Sequence, residues 1–94
     1  MTKKRTKLEI IRDILQVIKS KNKVRPTHIL YKSNLSHNMM EEYLAELKAK
    51  DFIIESKETK TRTFEITEKG RTYLEKFKEI MAFTDSFGLS EANN

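Results

Sequence analysis

Residues 52–67 read FIIESKETKTRTFEIT, and the folding of this stretch decides between a plain helical bundle and a mixed fold. Phe52, Ile53 and Ile54 form a compact β-prone run, while Thr63, Phe64, Glu65, Ile66 and Thr67 alternate in polarity as a half-buried strand does. Between them, Ser56-Lys57-Glu58-Thr59-Lys60-Thr61-Arg62 is polar and lacks Gly and Pro, which suits a solvated tip. Strand, tip and strand make a hairpin, so the expected class is α+β, mainly α.

Upstream, the pattern is helical. Thr6 followed by Glu9 has capping-box spacing, and a helix is predicted from there to about Ser20. Leu8, Ile11, Leu15 and Ile18 form its apolar stripe, widened by Ile10, Ile14 and Val17. Ser20 to Lys23 read as a loop, and Pro26 suits the first turn of a short second helix to about Lys32, anchored by Ile29 and Leu30. Ser33-Asn34-Leu35 reads as a turn, and Ser36 as the N-cap of a third helix to about Lys50 that buries Met40, Tyr43, Leu44 and Leu47. Two short helices joined by such a turn have helix-turn-helix geometry. Downstream, Thr67 caps a fourth helix carrying Tyr73, Leu74, Phe77, Ile80 and Met81, predicted to end near Phe83 or Asp85, with Gly88 and the tail beyond it fraying.

The order helix, helix, helix, hairpin, helix resembles the winged-helix class, in which the hairpin tip is the wing. Leu35-Ser36, Tyr43-Leu44, Leu47 and Phe52-Ile53 resemble its turn, recognition helix and first wing strand, and Phe64-Glu65-Ile66-Thr67-Glu68-Lys69-Gly70 resembles its second strand entering the next helix. Arg5-Thr6-Lys7-Leu8-Glu9-Ile10-Ile11 with Ile29-Leu30-Tyr31-Lys32-Ser33-Asn34-Leu35-Ser36 is similar to the archaeal ten-kilodalton winged-helix chromatin-protein family, over residues 5 to about 83. Members of that family dimerise through a C-terminal antiparallel coiled coil, so the resemblance implies a homodimer. The expected layout is a basic N-terminal arm (1–5), a winged helix-turn-helix domain (6–66), a dimerisation helix (67–86) and a frayed tail (87–94).

Composition narrows the function. A chain of 94 residues supports one core, and 37% hydrophobic with 35% charged residues suits a charge-rich helical globule. The absence of Cys excludes disulfides and thiolate metal sites and fits a reducing cytosol. No stretch approaches the roughly 18 apolar residues of a membrane span, so a soluble protein is expected, and the chromatin-protein resemblance makes the expected location cytoplasmic and nucleoid-associated. There is no phosphate-cradling Gly-rich loop, and two isolated histidines offer little to catalysis or to a metal. Neither an enzyme nor a cofactor is expected. The net charge of +5 divides into +8 over residues 1–37 and −3 over residues 38–94. A basic half favours a polyanionic partner through counterion release, and double-stranded DNA leads that class.

Ser36, His37 and Asn38 open the third helix, where amides and short polar side chains can meet phosphate or base edges. Asn38 suits adenine and His37 a guanine acceptor; the competing reading is ordinary capping and solvent exposure. Glu41, Glu42 and Glu46 would repel phosphates on a recognition helix, although Glu41 can accept from a cytosine amino group. Lys57, Lys60 and Arg62 suit a wing that straddles the backbone, with Glu58 diluting their charge. Lys3, Lys4, Arg5 and Lys7 make an arm that can order on DNA, and Arg25, Thr27, His28, Lys32 and Ser33 sit where backbone-positioning contacts are expected, though Thr27 and Ser33 need only cap or turn. Along the fourth helix, Tyr73, Phe77, Ile80 and Thr84 form one row with Leu74, Met81 and Phe83 nearby, more apolar surface than one face requires. A two-fold dimer through it is expected; the competing account is a helix that buries everything against its own subunit. The readings that remain are a sequence-dependent or architectural duplex-binding protein that regulates transcription, and an interaction module that reuses the scaffold without DNA. Binding to RNA or single strands lacks an evident aromatic stacking platform.

Overall fold

The computed structural model describes residues 4–57 and 60–89. The expectations for Lys3, Glu58 and the tail from residue 90 on lie outside these. The order is α1 (Lys7–Lys19), α2 (Pro26–Ser33), α3 (His37–Ala49), β1 (Ile53–Ser56), β2 (Thr63–Ile66) and α4 (Glu68–Ser86). The class is α+β, mainly α: three helices, a hairpin and a final helix.

Local chemistry sets the helix ends. The Thr6 hydroxyl accepts from the Glu9 amide at 3.2 Å while the Glu9 carboxylate accepts from the Thr6 amide at 2.8 Å, a reciprocal capping box. Ser36 accepts from the Met39 amide at 3.2 Å and Thr67 from the Gly70 amide at 3.1 Å. α2 stops at Asn34, which takes the left-handed conformation (φ 54°) that Asn tolerates. α3 closes in a Schellman motif: Asp51 is left-handed (φ 64°), its amide donates to the Lys48 carbonyl at 3.1 Å, and the Phe52 amide donates to the Leu47 carbonyl at 2.9 Å. Phe52 therefore closes a helix instead of opening the strand it was predicted to open, while β2 stops at Ile66 and leaves Thr67 in its expected place as the cap of α4. α4 ends the same way on Gly88 (φ 69°), with the Gly88 amide donating to the Asp85 carbonyl at 3.0 Å and the Leu89 amide to the Thr84 carbonyl at 2.8 Å. The fraying expected from residue 87 is thus met over Phe87–Leu89 by a hydrogen-bonded stop.

β1 and β2 pair antiparallel, with Ile53 opposite Ile66 and Glu55 opposite Phe64. Val24 adds a short third rung on the far side of β2, exchanging hydrogen bonds with Phe64 at 3.0 and 2.8 Å. Ile10, Ile11, Ile14, Leu15 and Ile18 of α1 pack with Val24, Ile29, Met40, Leu44, Leu47, Ile53 and Phe64 into one core. Each such aliphatic or aromatic side chain contributes roughly 1.5–3 kcal/mol by leaving water. Val17, Leu30 and Tyr43 line its edge, half-buried. Leu8 departs from its predicted place: it lies on the first turn, short of the core, and is 57% exposed. α4 is joined to α1 by the Tyr73 hydroxyl, which donates to the Leu8 carbonyl at 2.8 Å, and by the Arg12 guanidinium 5.0 Å from the Phe77 ring centre. No described helix is long and apolar enough to cross a membrane.

Candidate nucleic-acid interface

α2, the turn Asn34–Ser36 and α3 place the leading end of α3 in solvent. Ser36, His37, Asn38 and Met39 are all exposed, while Met40, Leu44 and Leu47 on the opposite face hold α3 in the core. Ser36 spends one hydroxyl acceptor site on its cap, whereas the Asn38 side chain makes no hydrogen bond among the described residues. Further along α3, Ala45 and Ala49 are exposed and keep that part of the helix surface low.

The glutamates of α3 meet different fates. Glu46 is held by Lys7 at 3.0 Å and Lys50 at 3.1 Å, and those hydrogen bonds keep its carboxyl below the ordinary range. Glu41 receives the Arg62 guanidinium as a fork, at 2.9 and 3.3 Å, and lies 3.6 Å from the His37 imidazole. The Arg62 hydrogen bonds also lower the Glu41 carboxyl, against a smaller opposing effect of burial. Arg62 reaches further, to Glu55 of β1 at 2.9 Å, which in turn holds Lys48 of α3 at 2.9 Å. Two hydrogen bonds on a nearly enclosed carboxylate, first from Arg62 and then from Lys48, pull Glu55 down to about 2. Only Glu42 has no ion pair among the described residues, and it is exposed.

Several expected contacts therefore move. Ser33 is 1% exposed, so its hydroxyl cannot meet a phosphate without unpacking the core; it lies on the inward face of α2 with Ile29. Arg5 is no free arm: it donates to Asp13 at 2.8 Å and to the Asn34 carbonyl at 3.2 Å, tying the chain start to the helix-turn-helix corner. Glu41 and Arg62, assigned separately to a base and to the backbone, hold one another. Arg25, Thr27, Lys32, Lys57, Lys60 and Lys4 are exposed as expected. His28 is half-buried and lines, with Lys21, Lys23, Val24, Arg25 and Thr27, an open cleft of about 250 Å³ at the start of α2.

A profile of the winged helix-turn-helix family matches residues 4–84. The chain belongs to that family. Among solved structures, this winged-helix protein is similar to Sso10a-2, a DNA-binding protein from Sulfolobus solfataricus, at 24% identity and a TM-score of 0.77, covering 88% of this chain and 85% of that one. A PadR family transcription regulator from Clostridium difficile matches at 17% identity and 0.72, over 83% and 92% of the two chains. The transcriptional regulator Tm0710 from Thermotoga maritima matches at 22% and 0.66, over 83% of this chain and 60% of its own. At such identities the likeness is one of fold. No curated protein matches the chain significantly in sequence.

Sequence reasoning missed Glu55 and Lys48, whose role depends on the hairpin register, and Tyr31, which is 82% exposed on α2. It also missed that the Val24–Phe64 rung brings Lys21, Lys23 and Arg25 beside the wing strand. A lone bridge within Lys23-Val24-Arg25 leaves no periodic signal. Of the residues expected at a subunit contact, Tyr73 and Leu74 pack against the core, and Phe77 stacks on Tyr73 with ring centres 6.2 Å apart. Met81 and Thr84 are half-buried, the latter donating to the Met81 carbonyl at 2.9 Å. Beyond them Ile80, Phe83, Phe87 and Leu89 are exposed, Phe83 and Phe87 in ring contact at 4.8 Å. Among the described residues no group of His, Cys, Asp and Glu is placed to hold a metal.

Proposed function

We propose that this winged-helix protein binds double-stranded DNA as a homodimer and acts as a transcription regulator or chromatin-associated protein. The observation that carries the reading is the charge state around the leading end of α3. The carboxylates that argued against DNA are largely cancelled within the subunit, Glu46 by Lys7 and Lys50 and Glu41 by Arg62, leaving an exposed Ser36–Met39 turn next to the cationic wing. In this reading Asn38 and His37 meet base edges, the α3 amides and Thr27, Arg25 and Lys32 meet phosphates, and Lys57 and Lys60 grip flanking backbone. Lys4, at the start of the described chain, extends the same cationic surface. The description of Sso10a-2 as DNA-binding supports the reading, as do the regulator neighbours. Nucleoid association follows from it. The unpaired face of α4 supplies the dimer contact through Phe77, Ile80, Met81 and Thr84, with Tyr73 and Leu74 at its root.

The test is backbone-amide shift mapping by NMR with a mixed-sequence duplex. Shifts concentrated at Lys4, Arg25, Thr27, His28, Lys32, Ser36–Met39, Lys57 and Lys60 carry the reading; a footprint restricted to α4, or none, overturns it. The interaction-module alternative rests on Glu42 and Met39, exposed beside Tyr43, Lys7 and Glu46 around a shallow cleft of about 270 Å³. It predicts no duplex footprint.

A further inference from the structure

Arg62 carries more geometry than a wing arginine needs. Its Nε donates to Glu55 at 2.9 Å, Nη1 to one Glu41 oxygen at 2.9 Å, and Nη2 to the other at 3.3 Å. Its guanidinium carbon lies 5.3 Å from the centre of the Phe64 ring, which is itself fully buried in the core. Lys48 completes the group on Glu55. The cluster joins α3 (Glu41, Lys48), β1 (Glu55) and β2 (Arg62), and its two cations and two carboxylates sum to no net charge.

From this we infer that Arg62 is a positioning residue for DNA binding: it fixes the wing root against α3 and masks the Glu41 carboxylate, and it keeps both roles on the duplex instead of turning to a phosphate. The inference rests on the DNA-binding reading. Its physical basis is what release would expose. Glu55 has a side chain only 6% exposed, and a carboxylate enclosed that far is costly once one of its cations leaves. Glu41, stripped of its fork, would present a bare negative charge at the mouth of the groove, where like-charge contact with phosphate opposes binding. A phosphate offers Arg62 no more than the two carboxylates already give, since the planar fork and the Nε are both in use. The lowered carboxyl of Glu55 and the raised guanidinium of Arg62 agree with a cluster that stays ionised. Lys57 and Lys60, exposed on the wing beyond this root, are the backbone-contacting cations.

The experiment measures duplex affinity across a salt series for the unmodified chain, Arg62→Ala, Arg62→Lys, Glu41→Gln and the Arg62→Ala/Glu41→Gln double variant, with Lys60→Ala as comparison. The Arg62 Nε–H resonance is followed by NMR as duplex is added to the unmodified chain. Arg62→Ala is expected to weaken binding by about tenfold or more at an unchanged salt slope, and Glu41→Gln in that background to recover it to within about threefold. Arg62→Lys, lacking the fork, falls between, while Lys60→Ala lowers the slope by about one. Glu41→Gln alone does not tighten binding, and the Nε–H resonance keeps its position. The inference is overturned if Arg62→Ala lowers the slope by about one, if Glu41→Gln alone tightens binding, or if the Nε–H resonance moves to a phosphate-bonded position. Should the unmodified chain bind no duplex, the DNA reading has failed, and the cluster is judged on the free protein: hydrogen exchange at Ile54–Ser56 must quicken by about tenfold in Arg62→Ala, and unchanged exchange refutes the positioning role.

Discussion

Glu55 shows how far a single side chain can be read from its surroundings. Its carboxyl sits at about 2 against an ordinary 4.5, because the folded state gives the ionised form two hydrogen-bonded cations. A carboxyl lowered by folding stabilises the protein fully above its unfolded value and loses that contribution as pH falls toward the folded one. Acidification from about pH 5 to about 2 should therefore remove as much as about 3 kcal/mol from the unmodified chain, and clearly less from Glu55→Gln. Urea unfolding at a series of pH values measures the difference, and parallel curves would refute the assignment. Ser33 is the opposite case, a buried hydroxyl with no hydrogen-bond partner among the described residues. Ser33→Ala removes an unpaired polar group and improves helix propensity, so it should stabilise the protein by about 1 kcal/mol and leave duplex affinity within about twofold. A marked loss of affinity would return Ser33 to the DNA contacts that its sequence position suggested.

Among the elements, the junction of α3, β1 and α4 is the most constrained. The Thr67 hydroxyl donates to the Asp51 and Phe52 carbonyls at 2.6 and 3.0 Å, drawing the start of α4 onto the end of α3. A Cβ on Gly70 would lie 2.5 Å from the Phe52 carbonyl oxygen and 2.7 Å from the Ile66 side chain. Gly70→Ala should therefore cost about 2 kcal/mol or more despite the higher helix propensity of Ala, and thermal unfolding would reveal a neutral substitution as a contradiction. The close approach was legible from the sequence, because a helical Gly just after a capping Thr has a helix-propensity cost that needs a packing reason. Helix starts were legible for a related cause: Thr6 with Glu9, Ser36 and Thr67 act on amides within three residues. The role of Phe52 was not, since an apolar residue before Ile53-Ile54 looks like strand until Asp51 turns left-handed. The ion cluster was beyond reach as well: Glu41 lies on a different element from Glu55 and Arg62, and the three meet only once the hairpin register and the α3–β1 packing are set.

For the molecule as a whole, the unbalanced feature is α4. Its first half is fastened to α1, and among its residues only Gly70 is fully buried. Past Phe77 it projects with Ile80 57%, Phe83 61% and Phe87 64% exposed, a row that a helix leaves in water only at a cost unless a partner covers it. The proposed homodimer covers it with a second copy. Sedimentation should give twice the chain mass at micromolar concentration, and Ile80→Glu with Phe83→Glu should give a folded species of single mass; an unmodified chain that stays monomeric would refute the dimer. The two halves of the proposed function meet here, because a two-fold dimer of the kind proposed would offer two α3 ends and two wings to one duplex. The most direct test of the central claim is a titration of the unmodified protein with duplex DNA at rising salt. The account predicts micromolar or tighter binding in dilute buffer that falls by on the order of a hundredfold or more between about 50 and 200 mM salt. Binding that ignores salt, or none in dilute buffer, would contradict it.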